Sequence, residues 1–423
     1  MWQAEIAYRP PVPPTVRPVT RDELPAWFQA LNSAFYIWGA DPHAMAAFRG
    51  DRMDLDRALG AFEDDTIVGT YRSFVTQLTV PGGARLPASA VSAVSVRPTH
   101  RRRGILTRMI TEDLRRSVER GEVVSILIAA EWPIYGRFGY GPGTWQARWT
   151  LRTRAATFLP APTGRVEVVD QLAARQLLPA IYDAYAAAQP GEIDRPDFRW
   201  DSELGLVDAP GRPKWQGQVV IHRDDAGEPD GYARFHGEEN WVDMVPDHKL
   251  IVDELHGITV AADVDLWRHL GQMDLTASIT AEVRREHEPT QWALADPRQA
   301  QVSGRADFLW VRLLQVERAL NERTYERDGD IVLEVVDRLA DGDGPAAGRY
   351  RLSVRGGAGM CVRTDEAPEL TVEVGALSAA YLGGTRLVDA TRFGDAAEHR
   401  DRALVDADLL FRTAAEPWCS TWF

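Results

Sequence analysis

The sequence predicts an α/β protein with mixed sheets, in which one strand–helix unit occurs twice and an α+β part follows. Three observations predict it. Residues 91–142, VSAVSVRPTHRRRGILTRMITEDLRRSVERGEVVSILIAAEWPIYGRFGYGP, set one amphipathic helix between two short apolar runs. A second set of apolar and capping residues matches the first at a constant offset of 150. The last third alternates apolar and polar residues, as half-exposed strands do.

Residues 1–15 are Pro-rich and read as an extended lead-in. Val16 to Val19 is a short strand. Thr20 with Glu23 three residues on is a capping box, opening a helix through Leu24, Trp27, Phe28 and Leu31 to Phe35. Leu59 to Glu63 and Ile67 to Val80 are two strands around the Asp64-Asp65 turn, and a third begins near Ala88. Ile105, Met109, Ile110, Leu114 and Val118 fall mostly at four-residue steps and give the next helix one apolar face. Gly121 suits its stop. Apolar runs on either side, Val91 to Val96 and Val123 to Ala130, complete a strand–helix–strand unit.

The repeat then begins. Val16, Val19, Thr20, Ala30, Leu31, Ala34 and Phe35 correspond to Val166, Val169, Asp170, Ala180, Ile181, Ala184 and Tyr185. Gln218 to His222 and Gly231 to Phe235 resemble the first hairpin, and Lys249 to Val260 the fourth strand. After Val260 there is no glycine and no basic turn. Further on, Phe308 to Leu314, Asp330 to Asp337, Gly348 to Val354, Cys361 to Thr364 and Glu369 to Val374 read as strands. Val316 to Arg323, Leu377 to Leu382 and Leu404 to Phe411 read as helices.

Chemistry concentrates in the turn after Val96. A helix N-terminus exposes unpaired backbone N–H groups and the positive end of the helix dipole. Gly104 has no Cβ and lets a ligand approach the backbone. Arg101, Arg102 and Arg103 add fixed positive charge. Together these make a phosphate cradle. No GKS or GKT follows, so it is not a nucleotide P-loop, and GxGxxG is missing, so it is not a Rossmann turn.

Arg101-Arg102-Arg103-Gly104-Ile105-Leu106 resembles the turn of the GNAT N-acetyltransferase superfamily, although Leu106 departs from the usual small last residue. With IYGRFGYGP after it and an aromatic residue at the C-terminus, the chain resembles the enhanced intracellular survival (Eis) acetyltransferases. The resemblance implies tandem GNAT folds followed by a sterol-carrier-protein-like α+β domain. The expected boundaries are 1–150 for a catalytic domain, 151–300 for a degenerate second GNAT domain and 301–423 for the last. It also implies acetyl-CoA as co-substrate, no metal, and a homohexamer. Val94, Ser95 and Val96 would pair with the pantetheine arm, Arg102, Arg103, Gly104, Ile105, Leu106 and Thr107 would follow the pyrophosphate, and Ala130 and Glu131 would face the cofactor. Trp38 would line the amine pocket, whereas Trp27 reads as core. Tyr135 matches the family's general acid, its phenol protonated at neutral pH with a pKa near ~10, and Tyr140 reads as a packed aromatic with a bonded hydroxyl. The terminal carboxylate of Phe423 would act as base, held by a tail too apolar to fray. Trp422 stands where the family often has an acidic residue, which weakens the case for aminoglycosides.

Composition narrows the remaining choices. Lys plus Arg total 48 against 62 Asp plus Glu, a net charge of −14. That argues against nucleic acid and is compatible with cationic acceptors of aminoglycoside, polyamine or lysine type. Cys361 and Cys419 form neither a metal motif nor a disulfide framework, which suits a reducing cytoplasm. No apolar run approaches the roughly 20 residues of a membrane span, and no signal-peptide pattern opens the chain. The competing expectation is a non-catalytic acyl-CoA or lipid-binding sensor or carrier.

Overall fold

The computed structural model describes residues 13–339, 342–392 and 394–423. Most of the Pro-rich lead-in lies outside them. The chain forms two compact units, one from Met1–Phe74, Val91–Arg116 and Ala209–Arg212, the other from Val75–Ala90, Ser117–Asp208 and Pro213–Phe423.

In the first unit, β1 (Thr15–Pro18) leads into α1 (Leu24–Ala34), α2 (Pro42–Arg49), β2 (Ala58–Glu63), β3 (Thr66–Thr79) and β4 (Arg85–Val96). The capping box forms as expected, opening a 3₁₀ turn at Arg21–Glu23 that runs into α1: the Thr20 N–H donates to Glu23 at 2.8 Å. β1 runs antiparallel to β2, and β2 antiparallel to β3, with Leu59 opposite Tyr71 and Ala58 opposite Arg72. Asp64 takes the left-handed conformation in the turn between β2 and β3. α1 and α2 cover one face through Leu24, Trp27, Phe28, Leu31 and Met45. Trp27 is core, and its indole N–H donates to the Leu59 carbonyl at 2.9 Å.

α3 (Ile105–Glu119) begins in this unit, and a buried carboxylate ties it to β3. Asp113 accepts from the Tyr71 hydroxyl at 2.9 Å and from Ser73 at 2.6 Å. Charged acceptors make the stronger hydrogen bonds, so the register of α3 against β3 is fixed.

The second unit holds β5 (Val124–Ile128), α4 (Trp132–Tyr135), β6 (Gly141–Pro142), β7 (Trp145–Arg152), β8 (Gly164–Val169), α5 (Gln171–Ala188), α6 (Asp197–Glu203), β9 (Gln218–Asp224) and β10 (Pro229–Glu238). There follow a two-stranded ribbon of β11 (Trp241–Val242) and β12 (Val245–Pro246), then β13 (His248–Gly257), α7 (Val260–Gly271), β14 (Thr276–Arg284), β15 (Ala300–Asp307) and β16 (Leu309–Leu313). One sheet runs β15-β7-β14-β13-β10-β9-β8. Its element order, strand, helix, hairpin, strand, helix, strand, repeats that of β1 to β5. β13 and β14 are parallel, joined through α7.

Two details differ from the sequence reading. The strand expected to reach Val260 stops at Gly257, because Thr259 caps α7 by accepting from the Ala262 N–H at 3.1 Å. Strand pairing also crosses the boundaries expected at 150 and 300. β7 and β15 pair with each other in the second sheet, and β16 pairs with β5 and β6 rather than with the last part of the chain. All five residues of β16 are buried. An apolar run of this kind marks a central strand but does not name its neighbours.

The last part carries α8 (Val316–Glu322), β17 (Gly329–Val336), the ribbon β18 (Arg338–Leu339) and β19 (Gly342–Asp343), β20 (Gly348–Arg355), β21 (Ala358–Arg363) and β22 (Leu370–Glu373). α9 (Val374–Ala380), α10 (Leu387–Ala390), β23 (Ala396–Glu398) and α11 (Ala403–Phe411) complete it. Its sheet runs β21-β20-β17-β22-β23. Among the described residues no helix is long and apolar enough to cross a membrane.

The segment after α4 is packed tightly at one glycine and loosely at another. A Cβ on Gly141 would lie 2.2 Å from the Gly375 carbonyl oxygen and 2.8 Å from the Ala379 Cβ, whereas one on Gly136 would meet nothing within 4 Å. Gly141→Ala should therefore lower the melting temperature by the equivalent of about 1–3 kcal/mol, the usual cost of overpacking. Gly136→Ala should leave it within about 0.5 kcal/mol, like other unconstrained substitutions. Equal melting of the two variants would contradict the close approach at Gly141.

Candidate active site

The basic turn of the first unit is open. Arg101, Arg102, Arg103 and Gly104 are all exposed, while Ile105 behind them is buried. Gly104 has φ +72°, and a Cβ there would meet nothing within 4 Å. Arg102 is left-handed too, at φ 64°, so the backbone curls ahead of α3 with its N–H groups uncovered. Arg103 is partly engaged, donating to the Thr99 carbonyl at 3.0 Å and to Glu63 at 3.4 Å. Glu63 also bonds His100 at 2.8 Å, which with the nearby Arg103 holds its carboxyl below the usual range. Among the described residues Arg101 and Arg102 have no ion pair. An exposed glycine, a helix start and two uncommitted guanidiniums fit a pyrophosphate. Leu106 and Thr107 follow half-buried in the first turn of α3. Arg108, which the sequence reading did not single out, carries a buried guanidinium nitrogen without a hydrogen-bond partner.

Val94, Ser95 and Val96 end β4. Just before them Ala93 is left-handed, φ 54°, a kink inside a strand. Such a kink interrupts the ladder and frees backbone groups. Thr70 braces it, donating to the Ala93 carbonyl at 2.8 Å and lying 2.7 Å from the Ser95 hydroxyl. Trp38 is 75% exposed, its ring 6.1 Å from that of Tyr36, which is itself exposed and left-handed. Trp38 is therefore not core.

In the second unit Ala130 and Glu131 follow β5 and are exposed. Four residues on, Tyr135 is 7% exposed and makes an edge contact with Tyr140 at 6.1 Å. The two tyrosines differ in their hydroxyls. That of Tyr140 bonds Ser125 at 2.6 Å. That of Tyr135 has no hydrogen-bond partner among the described residues. Burial, with the nearby Glu131 carboxylate, pushes the Tyr135 phenol up to about 12. It keeps its proton at neutral pH and has it free to give.

The C-terminal tail is docked in the second unit. Trp418, Cys419 and Thr421 are buried. The Trp418 N–H donates to the Pro190 carbonyl at 2.9 Å, and the Ser420 N–H to Glu192 at 2.9 Å. Arg195 donates to Thr421 at 2.8 Å and to Ser420 at 2.9 Å, and Arg199 donates to the Trp422 carbonyl at 2.6 Å. Trp422 is 58% exposed with its ring 5.8 Å from Phe308, and Phe423 is half-buried. The anchors all come from the repeated segment, and the tail's apolar residues predicted docking without naming them. Arg195 is itself held by Glu254 at 2.6 Å. Both cysteines are buried and free. Burial, with Glu317 nearby, raises the Cys361 thiol to about 12, and burial, with Glu192 nearby, raises that of Cys419 well above its ordinary value.

The second unit's counterpart of the basic turn is filled from within. Asp263 of α7 accepts from the Gly257 N–H at 2.8 Å and pairs with Arg285 at 2.6 Å and Arg284 at 3.5 Å. A fixed carboxylate thus bonds the backbone just ahead of α7. No group of residues suited to holding a metal occurs among the described residues.

Comparison with known proteins gives the family. The chain matches the Acetyltransferase (GNAT) domain over residues 15–143 and a second Acetyltransferase (GNAT) domain over 191–313, then a Sterol carrier protein domain over 316–420. It is an acyltransferase of the GNAT superfamily. An uncharacterized N-acetyltransferase of Streptomyces griseus is 38% identical over 96% of this chain and 99% of its own. The N-acetyltransferase Eis of Mycobacterium bovis is 34% identical over 87% and 89%. The crystal structure of Eis1 from Mycobacterium abscessus superposes with a TM-score of 0.82 at 33% identity, covering 97% of this chain and all of that one. The chain belongs to the Eis family of N-acetyltransferases.

Arg199→Gln removes the bond to the Trp422 carbonyl and leaves the buried anchors on Thr421 and Ser420. It should hasten carboxypeptidase trimming of the last two residues, read by mass spectrometry, with trimming slowing before Thr421. Trimming at the wild-type rate would show that Arg199 does not hold the tail.

Proposed function

We propose that the protein transfers the acetyl group of acetyl-CoA to an amine, with Tyr135 as general acid and the Phe423 terminal carboxylate as base. The observation that carries this reading is Tyr135, whose side chain is buried while its hydroxyl has no hydrogen-bond partner among the described residues. Backbone groups at Val94, Ser95 and Val96, beside the Ala93 kink, would take the pantetheine arm and polarise the thioester carbonyl. Arg102, Arg103, Gly104, Ile105, Leu106 and Thr107 would hold the pyrophosphate, and Ala130 and Glu131 would face the cofactor. Trp38 would offer an aromatic wall to the acceptor. The neutral amine attacks the carbonyl carbon, the C–S bond breaks as the tetrahedral intermediate collapses, and the departing sulfur takes the Tyr135 proton. The Phe423 carboxylate would accept the amine proton, directly or through water.

The three expected parts divide this work. Residues 1–150 would carry the chemistry. Residues 151–300, whose own turn is closed by Asp263, would hold the tail. Residues 301–423 would deliver it. A homohexamer in the cytoplasm belongs to the same proposal, and sedimentation would read the assembly.

Free-thiol release from acetyl-CoA should be followed against aminoglycosides, polyamines, lysine peptides and amino acids, with the native chain beside one extended past Phe423. Release by the native chain and its loss on extension is the expected result. Equal release would remove Phe423 from the mechanism. No release with any amine, alongside tight acetyl-CoA binding, would favour a sensor.

Tyr135→Phe should lower kcat by about 10²–10⁴-fold with little change in the KM for acetyl-CoA. A folded-state pKa raised to about 12 keeps the phenol protonated where an ordinary tyrosine ionises. The alkaline fall in kcat should therefore begin above pH ~10, and a loss centred below that would contradict the assignment. The same shift stabilises the fold fully below the ordinary tyrosine value, and that contribution is lost as pH rises towards 12.

A further inference from the structure

Three arginines of the first unit stand together without a counter-charge. Residues of β3 alternate between the faces of its sheet. Tyr71 and Ser73 reach Asp113 of α3, so Arg72 between them takes the opposite face. Thr70, two residues before it, shares that face and meets Ser95. Phe74, two residues after it, lies with its ring centre 5.2 Å from the Arg72 guanidinium. Arg49 closes α2, and Arg212 lies in the short segment 209–212. That segment packs on the loop carrying Trp38: a Cβ at Gly211 would lie 2.8 Å from the Ala40 Cβ and 3.7 Å from Ile37.

Arg49 stands between the other two charges and is felt with each of them in turn. Burial, then the neighbouring Arg49, holds Arg72 down to about 10. Burial, then Arg212, lowers Arg49. Among the described residues none of the three guanidiniums has an ion pair or a hydrogen bond. Elsewhere in the chain a buried arginine is neutralised or bonded. Arg284 meets Glu288 at 2.8 Å, Arg312 meets Asp337 at 2.8 Å, and Arg323 donates to the carbonyls of Tyr381 and Phe411. The C-terminal end of α2 offers roughly half a negative charge against three positive ones. Desolvated like charges favour whatever anion can reach them, and the planar guanidinium fork matches carboxylate and phosphate oxygens.

We propose that Arg49, Arg72 and Arg212 form an anion-binding subsite beside the Trp38 loop, and that the acceptor is an amine that also carries a carboxylate or phosphate. This rests on the acetyl-transfer reading, in which Trp38 borders the acceptor. The net charge of −14 does not oppose it. Screening confines exposed charges to within roughly 8–10 Å, so a local site can have the opposite sign to the whole protein.

The test compares matched acceptors on the full chain: an amino acid and its amide, and an amino-alcohol phosphate and the free amino alcohol. The expected result is a kcat/KM higher for the charged member by about tenfold, the worth of one charge-assisted hydrogen bond. Arg72→Gln and Arg49→Gln should bring the ratio close to one, and Arg72→Lys should restore part of it. Arg212→Gln, at an exposed position, gives a variant whose folding is not at issue. A ratio near one in the wild type, or one that all the Gln variants leave intact, would overturn the subsite.

If no amine is acetylated, the reading under Proposed function falls, and titration of inorganic phosphate by calorimetry decides the subsite separately. Saturating CoA would occupy the basic turn. Phosphate binding that disappears in Arg49→Gln/Arg72→Gln supports the subsite. Binding that persists in that variant, or is absent from the wild type, removes it. Arg72→Gln should also melt no lower than wild type in an anion-free buffer, since it removes an uncompensated charge, and a lower melting temperature would mean that Arg72 is structural.

Discussion

Arg195 lies inside the second unit with its side chain 2% exposed, and much else depends on keeping its charge there. A buried guanidinium is tolerated only when its charge is met and its N–H groups are used. Glu254 meets the charge. Burial works to raise the Glu254 pKa, but Arg195, His256 and Arg234 outweigh it and hold the carboxyl well below its usual range. Arg195 then has donors to spare, and it spends them on Thr421 and Ser420. Its face also covers the Tyr182 ring, 3.8 Å from the centroid. One ion pair thus fixes a strand of the second sheet, the loop before α6 and the tail of the chain. Removing one partner of such a pair typically costs about 3–5 kcal/mol, so the tail is set by the interior of a domain rather than by surface contacts.

This gives the repeated unit a purpose distinct from that of the first. Both repeats build the same order of strands and helices. In the first, the turn ahead of the helix is exposed and positive. In the second, Asp263 accepts from the Gly257 N–H ahead of the helix. The fold is repeated while the Gly257 N–H ahead of the helix is bonded by a side chain. Beside it the second unit holds the tail in a socket built from Tyr182, Glu192, Arg195 and Arg199.

The parts legible in sequence were those where residue type and local spacing suffice. The period of Ile105, Met109, Ile110, Leu114 and Val118 gave α3, and Thr20 with Glu23 gave the start of α1. The glycine and arginines at 101–104 could be read as an exposed basic turn ahead of a helix, and they are exposed just before α3. Tyr135 and Tyr140 could be told apart through the motif around them. Other features depend on what the chain meets after folding. Nothing about Ala93 advertises a left-handed residue inside a strand. β16 reads as apolar without showing that its neighbours are β5 and β6. Arg49, Arg72 and Arg212 are three among 48 basic residues, far apart in sequence, and only the alternation of β3 and the packing of Gly211 bring them to one side. Asp113 likewise looks like any acidic residue on a wet helix face until Tyr71 and Ser73 arrive.

The two cysteines have a practical meaning. Each is enclosed and holds its proton more firmly than a free thiol, and the thiolate is the reactive form. In the folded protein a thiol-reactive dye finds little to react with. Cys419 lies within the docked tail, two residues before the buried Thr421, and is covered only while the tail stays in its socket. Slow labelling at that one position, followed by mass, becomes a clock for excursions of the terminus, recorded by a side chain native to the sequence.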